Sequence, residues 1–167
     1  MLSPFLKKLM FARQFSIADG KIEIIKLRNM MISPEFILEL QKKDSKRVYE
    51  LSKKSIEEEL KHFKSKISIG GPASLNRVEE IYEVLGYGKF KVVDLDTKKK
   101  RSVVNIYNSP IAESYKKNNK KKSKKTQCDF IAGKISGVFS FIFNKKVEAK
   151  EVKCLAKGDD FCQFVVK

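Results

Sequence analysis

Three cysteines and one glutamate in the C-terminal part of the chain have the residue types of a metal site. Glu151, Cys154 and Cys162 form the pattern E-x2-C-x7-C, and Cys128 precedes them on a separate apolar segment. Thiolate-rich tetrahedral coordination favours zinc over magnesium or calcium, and four protein ligands leave no open position for water. The pattern therefore indicates a structural zinc site. The alternative is that the cysteines are small buried hydrophobic residues and Glu151 is an exposed strand residue.

The spacing of Glu151 and Cys154 also places a demand on the backbone. Residues three apart on a regular strand point to opposite faces of the sheet. Both side chains can reach one ion only if the strand bulges or ends between them. We therefore predict an irregularity between these two residues.

The elements that must position these residues can be read from hydrophobic periodicity, caps and turns. In chain order they are strands from Phe11 to Ile17 and from Lys21 to Leu27, a short helix opened by Ser33-Pro34, helices from Ser45 to Ile67 and from Ala73 to Leu85, strands from Lys89 to Leu95 and from Ser102 to Tyr107, a helix from Cys128 to Phe143, and strands from Lys146 to Glu151 and from Phe161 to Val166.

Strands that arrive in neighbouring pairs, with helices between them, predict an α+β fold. Its antiparallel sheet should have the helices packed against it. We assign residues 1–70 to an N-terminal β-hairpin and helical region and residues 71–167 to a second region, and we expect the two to form one compact unit.

The composition excludes several classes of protein. The chain of 167 residues has one histidine, His62, and no tryptophan, so Ser/His/Asp hydrolysis and His-rich catalytic metal sites have almost no candidate residues. Its three cysteines cannot pair completely, which excludes a disulfide framework. No apolar stretch approaches the ~20 residues of a membrane helix, and Lys7 and Lys8 interrupt the N-terminal apolar residues. We expect a cytoplasmic protein.

The positive charge is concentrated in one segment. Of the formal net charge of +16, residues 98–125 contribute +10, with 11 Lys or Arg and only one acid, Glu113. The run from Lys116 to Lys125 lacks interleaved aromatic residues on which bases could stack. We interpret it as a solvated loop, and nucleic-acid binding through this Lys-rich segment is the alternative.

The chain from about Pro72 to Lys167 resembles the 4-vinyl reductase domain family, in particular its stand-alone archaeal members. The residues that carry the resemblance are Phe130-Ile131-Ala132-Gly133, Gly137, Val147, Glu151, Cys154, Ala156, Gly158, Cys162 and Phe164. This family is similar in fold to the sensor domains of phenol-responsive bacterial transcription activators and to subunits of the TRAPP vesicle-tethering complex. Those relatives are dimers, so the resemblance implies a homodimer.

The resemblance also implies a ligand set for the metal. In the phenol sensors, a cysteine that opens a helix and a Glu and two Cys of the last hairpin bind zinc. The matching residues here are Cys128, Glu151, Cys154 and Cys162. The phenol sensors hold the ligand hydroxyl with a His and a Trp, and the absence of tryptophan from this chain argues against phenol itself.

An apolar pocket is the second candidate site. We expect it between the helix that carries Ile81, Tyr82 and Leu85, the strand that carries Tyr107, and the helix face of Ile131 and Ile135. The alternative is that these residues form plain core, since apolar residues at helical spacing commonly do.

The leading hypothesis is a non-catalytic, zinc-binding domain that binds or senses a small hydrophobic or aromatic molecule, such as a hydrocarbon. The alternative from the family name is an enzyme or accessory factor of tetrapyrrole vinyl reduction. Hydride transfer needs a nicotinamide or flavin site, and the chain has no G-x-G-x-x-G motif between a strand and a helix. We assign no catalytic residue.

Overall fold

The computed structural model describes residues 3–67 and 70–167. Its helices and strands follow in the order α1 (Pro4–Phe11), β1 (Phe15–Ala18), β2 (Lys21–Ile24), β3 (Leu27–Asn29), α2 (Pro34–Ile67), α3 (Leu75–Val84), β4 (Lys89–Asp96), β5 (Arg101–Tyr107), α4 (Pro110–Asn118), α5 (Asp129–Phe143), β6 (Ala149–Lys153) and β7 (Cys162–Val166). Short 3-10 helices precede α3 and follow β6.

The N-terminal hairpin is confirmed, but it begins later than the sequence indicated. Asp19 and Gly20 both have positive φ, as the tight two-residue turn between β1 and β2 requires. The residues before β1 form helix α1, whose N-terminus is capped by the Ser3 side chain accepting from the Leu6 backbone N–H at 3.2 Å. The strand predicted from Phe11 was therefore wrong at its start. The third strand, β3, pairs with β2 and was not predicted.

Helix α2 combines the two helices predicted after Ser33. The Ser33 hydroxyl accepts a hydrogen bond from the Phe36 N–H at 3.3 Å, as expected for a cap. The helix bends at Asp44, which has non-helical backbone angles (φ −153°, ψ 84°), and the Asp44 carboxylate caps the second half by accepting from the Arg47 N–H at 2.8 Å. The boundary predicted between the two helices is thus a capped kink.

The second sheet has the strand order β4-β5-β7-β6, and all its pairs are antiparallel. Helix α5 contacts this sheet on one side and α2 on the other, so it is buried along almost its whole length. Two glycines of α5 allow the close approach of α2. A Cβ atom at Gly133 would lie 2.2 Å from the Tyr49 carbonyl oxygen, and one at Gly137 would lie 2.6 Å from that of Lys53.

These layers make the fold α+β, with helices packed against an antiparallel sheet, as predicted. One hydrophobic core includes residues from Phe5 in α1 to Val166 in β7. Helix α4 was not predicted, because the lysine-rich sequence around its end masks the pattern of Pro110 followed by buried Ile111 and Ala112. Among the described residues, no helix combines the length and apolar character needed to cross a bilayer.

Candidate metal centre and apolar cavity

The four predicted ligand residues come together from three parts of the fold. Cys128 is the N-cap residue of α5, Glu151 lies in β6, Cys154 follows that strand, and Cys162 opens β7. All four are buried, and one potential ligand atom from each lies within 4.8 Å of the others. The hairpin and the start of the helix therefore form a single cluster of three thiols and a carboxyl group.

The predicted irregularity in β6 is confirmed. The register of β6 against β7 shifts between Glu151 and Lys153, which leaves Val152 as an extra residue with 43% of its surface exposed. The extra residue removes one step of the in-and-out alternation of the strand. Glu151 and Cys154 can then face the same interior position, although they are three residues apart.

Backbone hydrogen bonds fix the turn that carries the cysteines. The Asp159 carboxylate accepts from the Cys154 N–H at 2.7 Å, and the Cys162 sulfur accepts from the Leu155 N–H at 3.4 Å. Gly158 has φ +102° in the turn, a region that favours glycine. The sequence suggested only a turn role for Asp159, and its side chain adds a direct brace on a ligand residue.

The geometry fits a tetrahedral zinc ion. The sulfurs of Cys128 and Cys162 are 3.7 Å apart, while two sulfurs bound at ~2.3 Å in tetrahedral geometry are expected about 3.8 Å apart. Glu151 Oε2 accepts from the Cys128 N–H at 2.9 Å, and Oε1 is buried without a hydrogen-bond partner. A buried carboxylate oxygen without a partner is the group that a bound cation would satisfy.

The titration of the cluster shows the effect of crowding acidic groups in the interior. Burial, together with the adjacent Cys154, raises the pKa of the Glu151 carboxyl to about 8. Hydrogen bonds from the Cys128 and Cys162 thiols lower the pKa of Cys154, while its hydrogen bond to Cys154 raises the pKa of Cys128. The cluster thus favours one thiolate in the absence of a cation, and a divalent cation would favour ionisation of the rest.

The Lys-rich segment contacts the metal hairpin. The Ser123 N–H donates to the Ala156 carbonyl at 2.8 Å, and the Lys122 side chain lies against Gly158. Gln41 of α2 donates to the Gln127 carbonyl at 2.8 Å. The lysines from Lys116 to Lys125 are exposed, as expected for a solvated segment, but buried Ser123 and Gln127 anchor its backbone.

An apolar cavity of about 550 Å³ lies between the N-terminal sheet and the ends of α3, α4 and α5. Its floor includes Leu85, Tyr87, Phe130 and Ile131, and the residues Met30 to Ile32 lie along one side. Met30 and Met31 are 77% and 79% exposed, so this side is open to solvent. The volume falls in the range of small-molecule sites.

The structure separates the residues predicted to line a pocket. Leu85 and Ile131 line the cavity, whereas Ile81, Tyr82 and Ile135 are buried in the core. Tyr107 lies on the far side of β5, where its ring contacts Phe161 at a centroid distance of 5.4 Å.

Sequence reasoning missed the contribution of the N-terminal sheet to the cavity. Phe15, Ile22 and Ile24 line it together with the segment from Met30 to Ile32. The signal that could have found this wall is the run of three apolar residues directly before the Ser33 helix cap.

A buried lysine behind the cavity wall was also missed. Lys134 is 2% exposed and pairs with Glu59 at 2.7 Å, and its ammonium lies over the rings of Tyr87 and Phe130, both of which line the cavity. Burial lowers the pKa of Lys134, while Glu59 opposes that shift. A single lysine in the middle of the most apolar helix was the signal in the sequence.

Three solved structures have similar folds. The phenol-responsive sensory domain of the transcription activator PoxR, solved with phenol, has a TM-score of 0.78 at 14% identity and covers 100% of this chain and 91% of that one. A vinyl-4-reductase family protein from Methanocaldococcus jannaschii has a TM-score of 0.57 at 21% identity, with 100% and 96% covered. A trafficking protein particle complex subunit 3 from Naegleria fowleri, covalently bound to palmitic acid, has a TM-score of 0.53 at 14% identity, with 80% and 89% covered.

Sequence comparisons give shorter matches of higher identity. Two uncharacterized proteins of Methanocaldococcus jannaschii, MJ0150 and MJ0745, are each 48% identical to this chain, over 42 and 40 residues. These segments span 25% and 24% of this chain, and 24% and 22% of the relatives. The family model of the vinyl-4-reductase domain matches residues 102–167, which contain all four residues of the metal cluster. This C-terminal part of the chain therefore belongs to the vinyl-4-reductase domain family.

Proposed function

We propose that this chain is a non-catalytic domain that binds or senses a small hydrophobic molecule, and that a structural zinc ion holds its C-terminal hairpin against α5. The observation that carries the ligand-binding function is the open apolar cavity of about 550 Å³ between the N-terminal sheet and the helix ends. The likeness in fold to a phenol-responsive sensory domain supports a sensor role.

The donor set supports a structural metal. Four protein ligands would fill a tetrahedral shell, so no position remains for a reactive water or a substrate. The ion would link a helix start to a hairpin turn and would balance part of the negative charge of the three thiolates and the carboxylate. Its contribution is therefore to the stability of the hairpin.

The cavity lining favours an apolar ligand over phenol. His62, the histidine of this chain, interacts with the Ile25 carbonyl oxygen at 2.9 Å and does not line the cavity. Most of the lining consists of aliphatic and aromatic side chains, and Tyr87 offers a hydroxyl group there. We therefore propose a hydrocarbon-like or aromatic ligand with few polar atoms.

Two measurements test the metal. Native mass spectrometry of protein purified from its own host should show about one zinc ion per chain and a copurified small molecule. The variant Cys154→Ser should lose most of the zinc and melt at a lower temperature. Ser109→Ala is the matched control, because the Ser109 hydroxyl lies 3.4 Å from the Cys128 sulfur without belonging to the ligand set. Full zinc content in Cys154→Ser would contradict the proposed site.

The cavity is tested with the neutral fluorescent probe N-phenyl-1-naphthylamine. Leu85→Trp fills part of the cavity and should weaken probe binding about tenfold, equivalent to ~1.4 kcal/mol. Leu51→Trp is the control, because Leu51 is 52% exposed and does not line the cavity. Equal probe affinity in both variants would place the ligand elsewhere.

A further inference from the structure

The exposed hydrophobic surface of this protein is concentrated near the N-terminus. Of the twelve large hydrophobic side chains that are substantially exposed in the described part of the chain, eight belong to residues 10–40. Three of them, Met30, Met31 and Ile32, are consecutive. Scattered exposed apolar residues are ordinary, but a contiguous cluster marks an interaction surface.

The pairing of the N-terminal strands shows that this surface surrounds the cavity mouth. Ile17 lies directly opposite Ile22, and Ile22 lies opposite Asn29, so the three side chains share one face of the sheet. Ile22 and Asn29 line the cavity, and the chain then continues into Met30. Phe36 and Leu40 extend the surface along α2, one helical turn apart. We name the surface formed by Ile17, Met30, Met31, Ile32, Phe36 and Leu40 the mouth face.

The charge of this region selects its partner. Residues 10–40 contain four basic and four acidic residues and are therefore neutral, while the whole chain carries +16. Nucleic acid and anionic lipid surfaces both select cationic faces, so neither matches the mouth face. Two copies of a strongly cationic chain, however, approach with least repulsion through a neutral face.

We propose that a second copy of this chain docks on the mouth face and closes the cavity of its partner. An isologous dimer places the same apolar patch on both sides of the two-fold axis, which makes the patch self-complementary. The exposed parts of the eight side chains amount to the order of ~800 Å², about what each partner buries in a standard interface. The second copy would also supply the wall that the cavity lacks beside Met30 and Met31.

This arrangement couples dimerisation to the ligand binding proposed above, on which that part of the inference rests. A ligand enclosed by two copies binds the dimer more tightly than the monomer, and the ligand stabilises the dimer by the same factor. Flexible methionine side chains suit a surface that must cover either a ligand or a partner.

Sedimentation velocity of the full chain, without any probe, tests the interface itself. The wild type should form a dimer, and Met31→Asp should raise its dissociation constant at least about 100-fold, because the new charge enters a symmetric interface twice. Val93→Asp is the matched control. Val93 is 50% exposed on β4, an edge strand of the other sheet, so dissociation by this variant alone would overturn the proposal.

Probe binding then tests closure of the cavity. The affinity for N-phenyl-1-naphthylamine should rise as the protein concentration passes through the dimer dissociation constant, and Met31→Asp should abolish this rise. A concentration-independent affinity would overturn closure. A dimer that Met31→Asp dissociates, together with no probe binding, would support the interface and refute the ligand-binding function. A wild type that stays monomeric, or that gains a partner only with duplex DNA or phosphatidylglycerol vesicles, would refute the interface.

Discussion

Glu151 has two roles that are separated between its two carboxylate oxygens. Oε2 accepts from the Cys128 N–H and so ties β6 to the first turn of α5, while Oε1 is buried without a partner. Burial holds the pKa of this carboxyl at about 8, which leaves the group mostly protonated at pH 7 in the metal-free protein. That proton must leave when zinc binds, so metal binding becomes tighter as the pH rises towards 8.

The first prediction concerns this proton. At pH 7, Glu151→Gln should release about one proton fewer than the wild type when zinc binds, because the amide has no proton to lose. Isothermal titration in buffers of different ionisation enthalpy measures the number. Glu148→Gln is the control, since burial of Glu148 is outweighed by hydrogen bonds from Lys53 and Tyr49 that lower its pKa. Equal proton release in the wild type and Glu151→Gln would show that this carboxyl is not a ligand.

The bulge in β6 is the element-scale feature on which the metal cluster depends. A regular strand would place Glu151 and Cys154 on opposite faces, and the extra residue Val152 brings them to one side. The identity of Val152 matters little because its side chain is 43% exposed. Its presence in the chain is what the geometry requires.

Deletion of Val152 should therefore abolish zinc binding, while Val152→Ala should retain about one zinc ion per chain. The deletion restores a regular register and turns Glu151 or Cys154 away from the other ligands. Zinc content by elemental analysis of the purified variants gives the answer. A deletion variant with full zinc content would mean that the bulge does not position the ligands.

The contact between α2 and α5 gives a second prediction at this scale. Gly137→Ala should destabilise the protein by about 1–3 kcal/mol, because the new Cβ would lie 2.3 Å from Ile56 Cγ2 and 2.6 Å from the Lys53 carbonyl oxygen. Gly70→Ala is the control, since its nearest neighbour would be a flexible lysine atom at 3.9 Å. Urea denaturation measures both free energies of unfolding, and equal values would contradict the packing argument.

For the whole molecule, the division at residue 70 stays a prediction, and the contacts across it are extensive. Lys134 of α5 pairs with Glu59 of α2, and the Gln41 side chain accepts from the Phe130 N–H at 2.7 Å. Residues on both sides of the division share one hydrophobic core. A fragment without α2 would expose the face of α5 that carries Gly133 and Gly137.

We expect the fragment 71–167 to lack fixed tertiary structure even with zinc bound. Near-ultraviolet circular dichroism and amide NMR spectra of the zinc-loaded fragment and the full chain provide the comparison. The full chain with the mutation Lys66→Ala, at an exposed position near the end of α2, serves as a folded control. A fragment with the dispersed spectrum of the full chain would show that residues 71–167 fold independently.

The sequence by itself was enough for the metal cluster and most elements. Cysteine chemistry selects a narrow class of ligand sites, and the three-residue spacing of Glu151 and Cys154 required a bulge that the structure contains. Hydrophobic periodicity predicted α3, α5 and the strands of the second sheet because each buries one face or one stripe against the core. The short helices α1 and α4 escaped because few residues in each contact the core.

Only the tertiary structure decided where empty space lies. Ile81, Tyr82 and Ile135 have the same apolar pattern as Leu85 and Ile131, yet the first three are enclosed and the last two border a cavity. Periodicity states that a side chain is buried but not whether protein or a ligand covers it. That outcome depends on how the N-terminal sheet meets the ends of three helices, which is a property of packing between distant segments.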